Sequence, residues 1–260
     1  MKTARVNGAE LHYTDGGAPD GQAVVFANSL GTDLRVWDAV LPHLPPDLRV
    51  IRYDKRGHGL SEETPGPYSI DILADDAAGL MDHLGLRGAV FVGLSIGGLI
   101  GQALAARRPD LLRGLVISNS AARIGDAGMW QGRIDAIRSG GLRAIAAPTM
   151  ERWFSPEFRR EGAAAPWQRM LERQPQDGYI ACCEAIAAAD LSESTAKLDL
   201  PVRLIAGRLD GSTPPDLVAA TARLIPGARL EVMEGVGHIP CVEAPEIYAA
   251  ILSDFIEETP

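Results

Sequence analysis

The sequence predicts an α/β protein in which a mostly parallel, doubly wound sheet is interrupted by an inserted helical cap. Short apolar β-type runs alternate with helical patterns up to about residue 120, only helical patterns follow, and the alternation returns near residue 195. Alternation of strand and helix is typical of parallel sheets with right-handed crossovers. We therefore expect a core built from residues 1–120 and 195–260, and a cap, or lid, over residues 121–194.

The predicted strands are short, nearly continuous in apolar residues and bounded by Gly, Pro or polar residues, as is typical of parallel strands buried on both faces. An N-terminal strand or hairpin precedes them around Asn7-Gly8, with Val6 and residues 11–13 on either side. In chain order the remaining predicted strands are residues 23–26, 50–53, 89–92, 115–117, 202–206 and 230–233.

Helical spacing of apolar side chains predicts the segments between the strands. In residues 69–84 these side chains form one stripe, and Gly85 follows at the place of a C-cap glycine. Residues 97–108 form a second helix that Pro109 closes. The remaining core helices are expected over residues 215–224 and from Pro245 onwards, the latter with Ile247, Ile251, Leu252 and Phe255 as its inner face.

The cap is predicted from helical patterns that no strand pattern interrupts. Trp130, Ile134 and Ile137 stand at helical spacing, as does Trp153 with its neighbours, and residues 179–189 are strongly helical in composition. We therefore expect a small helical insertion in a single sheet domain.

Length and composition fit one such domain and exclude several partners. The 260 residues are 46% hydrophobic but only 5% aromatic, so aliphatic side chains must build the core. The net charge is −9 without any polybasic run, which argues against nucleic acid or an anionic membrane as partner. The N-terminal stretch lacks a signal-peptide pattern, so a cytoplasmic location is expected. Cys182, Cys183 and Cys241 form neither a disulfide framework nor a metal-ligand cluster, so no metal is expected.

The strongest local signal is Gly93-Leu94-Ser95-Ile96-Gly97, directly after a predicted strand and directly before a predicted helix. A serine on such a sharp turn needs small neighbours on both sides, because a Cβ there would collide with the turn or the sheet. The turn lifts the serine hydroxyl clear of the sheet at a helix N-terminus. We therefore predict Ser95 as a nucleophile; the alternative is a glycine-rich turn that serves packing alone.

A serine nucleophile needs a base, and His238 is the best-placed histidine for that role. It lies just beyond the last predicted strand and before the last helix, so it should emerge at the carboxyl edge of the sheet with Ser95. The other histidines have blander explanations in a strand, beside prolines, at a helix end or in an earlier loop; they are His12, His43, His83 and His58.

The carboxylate that orients the base should follow a strand between Ser95 and His238. Asp210 meets this condition, and the order Ser, Asp, His is that of hydrolases with a Gly-x-Ser-x-Gly turn. Asp199 and Asp216 are the alternatives, but the first precedes the strand and the second lies at a helix start.

Acyl transfer also needs donors for the developing oxyanion. The backbone N–H of Ile96, at the start of a helix, is the first candidate. The second is the N–H of Leu30, in the loop after the strand at residues 23–26, where the Asn28 or Ser29 side chain would brace the loop.

These motifs resemble the α/β-hydrolase superfamily over nearly the whole chain. Residues 53–61 are similar to its Asp-x-Arg-Gly-x-Gly-x-Ser loop, and residues 235–240 to its histidine loop. The usual His-Gly before the oxyanion residue is replaced by Asn28-Ser29. The run Asn28-Ser29-Leu30-Gly31-Thr32, with Trp37-Asp38 after it, resembles the 3-oxoadipate enol-lactonases; residues 93–98 and 118–121 do as well.

The resemblance implies the α/β-hydrolase fold and hydrolysis of 3-oxoadipate enol-lactone to 3-oxoadipate, in aromatic catabolism through the β-ketoadipate pathway, without cofactor. The partner would be a small anionic lactone, whose carboxylate calls for a local cation because the protein is acidic. We predict that Arg133 supplies it, with Trp130 and Trp153 as apolar walls. The cap also contains Arg123, Arg138, Arg143 and Arg152, most of which are expected to be solvated helix residues.

The same residues are compatible with other functions. A carboxylesterase, a perhydrolase-like enzyme or a C–C hydrolase would use the same triad. A haloalkane dehalogenase is disfavoured because it has an aspartate where this chain has Ser95. A non-catalytic ligand receptor on the same fold is the alternative outside enzymes. The sequence predicts neither the oligomeric state nor whether an acyl-enzyme forms.

Overall fold

The computed structural model describes residues 1–259, and their core is an eight-stranded sheet of order β1-β2-β4-β3-β5-β6-β7-β8. β1 and β2 pair with each other, and β2 with β4, in antiparallel register; all further pairs are parallel. This confirms the predicted mostly parallel sheet. The strands are β1 Lys2–Val6, β2 Ala9–Gly17, β3 Ala23–Ala27, β4 Arg49–Tyr53, β5 Ala89–Leu94, β6 Leu112–Ser118, β7 Val202–Gly207 and β8 Arg229–Met233.

Short 3-10 turns, Leu34–Trp37 and Leu41–His43, follow β3, whereas α-helices follow each of β4 to β8 and fill the interval between β6 and β7. Within the described residues that interval contains α3 to α8 and no strand, and none of the helices is long and apolar enough to cross a membrane. The helices are α1 Ile70–His83, α2 Ile96–Arg107, α3 Ala127–Gly140, α4 Arg143–Trp153, α5 Pro156–Arg160, α6 Ala165–Glu172, α7 Gln176–Ala188, α8 Ser192–Thr195, α9 Pro215–Ala222, α10 Pro240–Glu243 and α11 Pro245–Glu258.

The sequence dictates these elements by simple local rules. β5 is buried along its whole length, as its continuous apolar run predicts. α1 begins where the Ser69 hydroxyl accepts a hydrogen bond from the Ile72 N–H at 3.1 Å. It ends before Gly85, whose φ of +66° is the left-handed conformation of a C-cap glycine. The central strands and their flanking helices therefore form a rigid frame for the loops at the carboxyl edge.

The predicted inner face of α11 is partly wrong. Leu252 and Phe255 are buried as expected, but Ile247 is 60% exposed. The buried stripe runs instead through Tyr248, whose ring packs against that of Trp37 at a centroid distance of 6.2 Å. Tyr248, Leu252 and Phe255 follow the helical spacing i, i+4, i+7, so choosing the aliphatic Ile247 over the aromatic Tyr248 rotated the predicted face by one residue.

Candidate active site

Ser95 lies between β5 and α2 with φ +59° and ψ −117°, a conformation that residues other than glycine rarely adopt. Its backbone is held on both sides. The Ser95 N–H donates to the backbone carbonyl oxygen of Ser118 at 2.9 Å, and the Ser95 carbonyl oxygen accepts from the Ser120 hydroxyl at 2.7 Å. The fixed neighbours of this turn stabilise the strained backbone at Ser95.

The two glycines that flank Ser95 are required by the space around the turn. A Cβ on Gly93 would stand 2.1 Å from the Gly97 carbonyl oxygen, and one on Gly97 would stand 2.2 Å from the oxygen of Ala27. Backbone atoms cannot move aside as a flexible side chain can. The Gly-x-Ser-x-Gly spacing is therefore a consequence of how closely β5, β3 and α2 approach one another.

Asp210 and His238 meet at the same edge of the sheet, in the loops after β7 and β8. Their side chains are joined by a hydrogen bond of 2.8 Å between His238 Nδ1 and Asp210 Oδ2. Both residues are buried, and His238 borders the cavity that Ser95 also borders. Among the described residues no hydrogen bond joins Ser95 Oγ to His238 Nε2, a contact that in free enzymes often tightens only with substrate.

Asp210 is surrounded by donors that keep it ionised and fix its orientation. Oδ1 accepts from the backbone N–H groups of Ser212 and Thr213, and Oδ2 accepts from Asn119 Nδ2 at 2.9 Å and Thr213 Oγ1 at 2.7 Å. Burial alone would raise the pKa of Asp210, but His238 and these donors outweigh it, so the pKa lies below its usual range.

The supporting roles of Asn119 and Thr213 were missed by the sequence reasoning. Asn119 follows β6 and has φ +47°, a left-handed conformation for which asparagine is better suited than most residues. Its position in Ser118-Asn119-Ser120-Ala121 was one carrier of the family resemblance, but nothing in the sequence connects it to Asp210. Their contact requires β6 and β7 to be neighbours in the sheet, as they are.

The end of α4 is hydrogen-bonded to both of these loops. The His238 N–H donates to the carbonyl oxygen of Trp153 at 2.7 Å, and the Gly211 N–H donates to that of Arg152 at 3.1 Å. A Cβ on Gly237 would stand 2.5 Å from the Trp153 oxygen, so only glycine allows this approach. The helical segment and the loops of Asp210 and His238 therefore share one hydrogen-bonded unit.

The loop after β3 forms a tight turn over residues 29–32. The Thr32 N–H donates to the backbone carbonyl oxygen of Ser29 at 3.3 Å, and Gly31 has φ +83°, as at the third position of a type II turn. Within the described chain, the Leu30 N–H has no acceptor. The N–H of Ile96, the first residue of α2, is also free because initial helical N–H groups have no partner in their own helix. These are the two groups predicted to receive the oxyanion.

The side chains that precede Leu30 differ in their contacts. Asn28 Oδ1 accepts from the Trp37 indole N–H at 3.2 Å, which braces the loop as expected of one of these two residues. The buried Ser29 hydroxyl has no hydrogen-bond partner among the described residues and borders the cavity.

A cavity of about 270 Å³ brings the predicted site residues together. Ser95 and His238 border it from the sheet side, and Trp130, Arg133 and Trp153 border it from the helical segment. Trp130 is fixed by a bond of 2.7 Å from its indole N–H to the Ile124 oxygen. All the residues predicted for substrate binding thus reach one cavity.

Two arginines bring positive charge to this cavity, of which only Arg133 was predicted. Arg133 donates to the hydroxyls of Tyr179, at 3.0 Å through Nε, and Thr149, at 2.9 Å. Arg152 also borders the cavity, and burial followed by the Arg133 charge lowers its pKa. Neither guanidinium has a carboxylate within 4.0 Å among the described residues, so both charges are available to an anion.

The fold and the Gly-x-Ser-x-Gly turn define the class of protein. The chain belongs to the α/β-hydrolase family, whose sequence model matches residues 22–245. It is a serine hydrolase of that family.

Within the family, the chain is similar to 3-oxoadipate enol-lactonase 2 of Acinetobacter baylyi, at 38% identity over 92% of this chain and 90% of that one. The enol-lactonase from Burkholderia xenovorans LB400 superposes with a TM-score of 0.95 at 38% identity, over 98% of this chain and 100% of that one. A pimeloyl-[acyl-carrier protein] methyl ester esterase of Neisseria meningitidis is 30% identical over 92% of this chain and 95% of that one. The resemblance to enol-lactonases that the sequence predicted is confirmed.

Proposed function

We propose that Ser95, His238 and Asp210 form a catalytic triad that hydrolyses a carboxylic ester. The hydrogen bond of 2.8 Å between His238 Nδ1 and Asp210 Oδ2, at the cavity that Ser95 borders, carries this proposal. His238 Nε2 takes the hydroxyl proton as Ser95 Oγ attacks the carbonyl carbon. Asp210 holds the imidazole in the tautomer that leaves Nε2 free, and it stabilises the imidazolium that forms.

The negative charge on the former carbonyl oxygen would be received by the N–H groups of Leu30 and Ile96. Both are backbone donors without a protein acceptor that they would have to leave, so they are preorganised for the transition state. The leaving oxygen takes the proton from His238, and water deprotonated by His238 then releases the acid from Ser95. Direct attack by a water activated by His238 would use the same donors.

The substrate that we propose is 3-oxoadipate enol-lactone, which would be opened to 3-oxoadipate in the β-ketoadipate pathway. The names of the similar enol-lactonases support this choice, as does a cavity of about 270 Å³, which suits a small ring. An enol is a better leaving group than an alkoxide, and its conversion to the ketone makes ring opening effectively one-way. The chemistry needs no metal or cofactor.

The substrate carboxylate would bind Arg133, between Trp130 and Trp153. Arginine suits this role because its planar group donates two parallel hydrogen bonds to a carboxylate. Arg133 has donors to spare, since its contacts are the two hydroxyls of Tyr179 and Thr149. Residues 121–194 would then act as the cap that selects the substrate, above the triad of the sheet core.

Steady-state hydrolysis tests the proposal, with 3-oxoadipate enol-lactone and an aryl acetate compared on the wild type and on Ser95→Ala. Fast lactone turnover that collapses in Ser95→Ala supports both the triad and the substrate. Fast aryl acetate cleavage with an inert lactone would retain the triad and reject the enol-lactonase. Turnover of neither would contradict the ester-hydrolase proposal for these substrates and favour a different acyl substrate or a receptor.

A further inference from the structure

Lys55, in the loop after β4, is a buried cation directly beneath the turn that carries Leu30. Its side chain is 2% exposed, and no carboxylate lies within 4.0 Å of its ammonium group among residues 1–259. Nζ donates to the backbone oxygen of Ser29 at 2.7 Å, with Thr32 O further away at 3.5 Å. Burying a charge without a counter-ion costs free energy, so this ammonium does not serve the stability of the fold.

Lys55 donates its hydrogen bond to the Ser29–Leu30 peptide group, which also contains the proposed oxyanion donor. The carbonyl of Ser29 and the N–H of Leu30 belong to one peptide unit, and that N–H is the proposed oxyanion donor. A carbonyl oxygen that accepts from a cation draws electron density from the amide nitrogen, so the N–H on the other side becomes a stronger donor. Lys55 can therefore act on the oxyanion without touching it.

We propose that Lys55 is a positioning residue of the oxyanion hole, whose ammonium orients and polarises the Ser29–Leu30 peptide. The inference rests on the proposed function, because it presupposes that the Leu30 N–H receives the developing charge. Lys55 lies outside the cavity lining, so its effect should appear in the transition state and leave ground-state binding of the substrate nearly unchanged.

The turn is also held by hydrogen bonds that do not involve Lys55. The effect of the Lys55 charge can therefore be distinguished from the effect of the loop's shape. Ser29 O also accepts from the Thr32 hydroxyl at 3.0 Å, and the Gly31 N–H donates to His58 Nε2 at 3.0 Å. Loss of the ammonium should therefore weaken the donor and leave the turn in place. His58 cannot replace the charge, because burial and then the Lys55 charge hold the pKa of His58 well below its usual value.

Lys55 should lose its proton, and with it its charge, at mildly alkaline pH. Burial lowers the pKa of Lys55 to about 8, although Cys182 on α7, Asp54 beside it and Asp33 in the preceding loop act in the opposite direction. Burial raises the pKa values of the neighbouring Tyr179 and Cys182 to about 12, so neither titrates near pH 8.

Activity and stability should consequently respond to alkaline pH with opposite signs. The pKa of Lys55 in the folded chain, about 8, lies below its ordinary value of 10.5. The buried charge therefore destabilises the fold below pH 8, and this cost fades as the pH rises towards 10.5. The folded protein loses the polarising cation of its oxyanion donor near pH 8, so kcat should already fall there while the fold persists.

The test compares Lys55→Met and Lys55→Gln with the wild type and with Lys197→Met, a matched change at an exposed lysine. We expect Lys55→Met to lower kcat for the aryl acetate about tenfold to a hundredfold with KM little changed, since a weakened donor costs less than a lost one. Lys55→Gln, which keeps a neutral donor, should fall between. The wild-type decline of kcat near pH 8 should be absent from Lys55→Met, and Lys197→Met should behave as the wild type.

Covalent labelling of Ser95 by a nitrophenyl phosphonate makes the result independent of the substrate, with Ser95→Ala as the unlabelled control. Slower labelling of Lys55→Met than of the wild type supports the role of Lys55, even if the lactone is not a substrate. Labelling and kcat at wild-type values in Lys55→Met would overturn it while leaving the triad intact. If Lys55→Met does not fold, labelling and kcat at wild-type values in Lys55→Gln, which removes the charge but keeps a donor, overturn the proposal instead.

Discussion

Asp210, in the loop after β7, and Arg133, on α3, are held in place by different kinds of partner. Asp210 accepts from two backbone N–H groups and three side chains, so each of its oxygens has its orientation fixed. Arg133 is held by two neutral hydroxyls, those of Tyr179 on α7 and Thr149 on α4, and it retains unpaired charge. The side of the cavity that bears the proposed triad thus has its carboxylate fully paired, whereas the helical side has a guanidinium without a carboxylate partner among the described residues.

The two regions should tolerate substitution to different degrees. A fully paired carboxylate cannot move without leaving buried donors unsatisfied, which costs about 1–3 kcal/mol for each. Side chains held by hydroxyls on separate helices can shift by small rearrangements. We therefore expect substitutions near the triad to remove chemistry for every substrate, and substitutions in the helical segment to change which substrate is preferred.

The largest effect is expected from Asp210→Asn. The amide cannot stabilise the imidazolium and would favour the wrong tautomer of His238, so kcat should fall about 10⁴-fold for lactone and aryl acetate alike. The measurement is steady-state kinetics on both substrates. Asp199→Asn, at one of the two alternative carboxylates, is the matched control; a collapse there with an active Asp210→Asn would reverse the assignment.

A smaller and substrate-dependent effect is expected from Arg133→Ala. Loss of a charged hydrogen-bond partner should raise KM for the anionic lactone about tenfold to a hundredfold, and kcat/KM for a neutral aryl acetate should stay close to the wild type. Arg138→Ala on the same helix, where the side chain is 57% exposed, is the control. An unchanged KM for the lactone would remove Arg133 from the binding site.

The smallest effect on activity is expected from Trp130→Phe, which should change stability more than chemistry. The variant loses the bond from the indole N–H and leaves the buried Ile124 oxygen without a partner, so the free energy of unfolding should fall by about 1–3 kcal/mol. Urea unfolding gives this value, and aryl acetate turnover gives the activity. A large loss of turnover at unchanged stability would mean that the helical segment takes part in the chemistry itself.

The mostly parallel sheet, the order of strands and helices along the chain, and the turn around Ser95 could be predicted because their signals are local. Gly93 and Gly97 encode the turn by their spacing, and the loop positions of Asp210 and His238 follow from the strands before them. The structure brings these two side chains together at 2.8 Å.

The rest depends on contacts between segments that are distant in the sequence. Lys55 lies in a motif that the sequence reveals, but its position beneath Ser29 follows from the parallel pairing of β3 and β4. Arg152 and Tyr179 reach the cavity only through the packing of helices, for which spacing within one helix gives no information. The error at Ile247 has a different origin, since a buried aromatic residue was given less weight than an aliphatic neighbour.

Engineering of new specificity must take account of two hydrogen bonds at the end of α4. The N–H groups of His238 and Gly211 donate to the carbonyl oxygens of Trp153 and Arg152 there. A chimaera that receives the whole helical segment of a relative would also replace the end of α4, whose carbonyl groups support the loop of the proposed base. Its failure would then say little about substrate fit. Grafts confined to α3 and α7, with the end of α4 retained from this protein, would exchange residues that contact the substrate while leaving those hydrogen bonds in place.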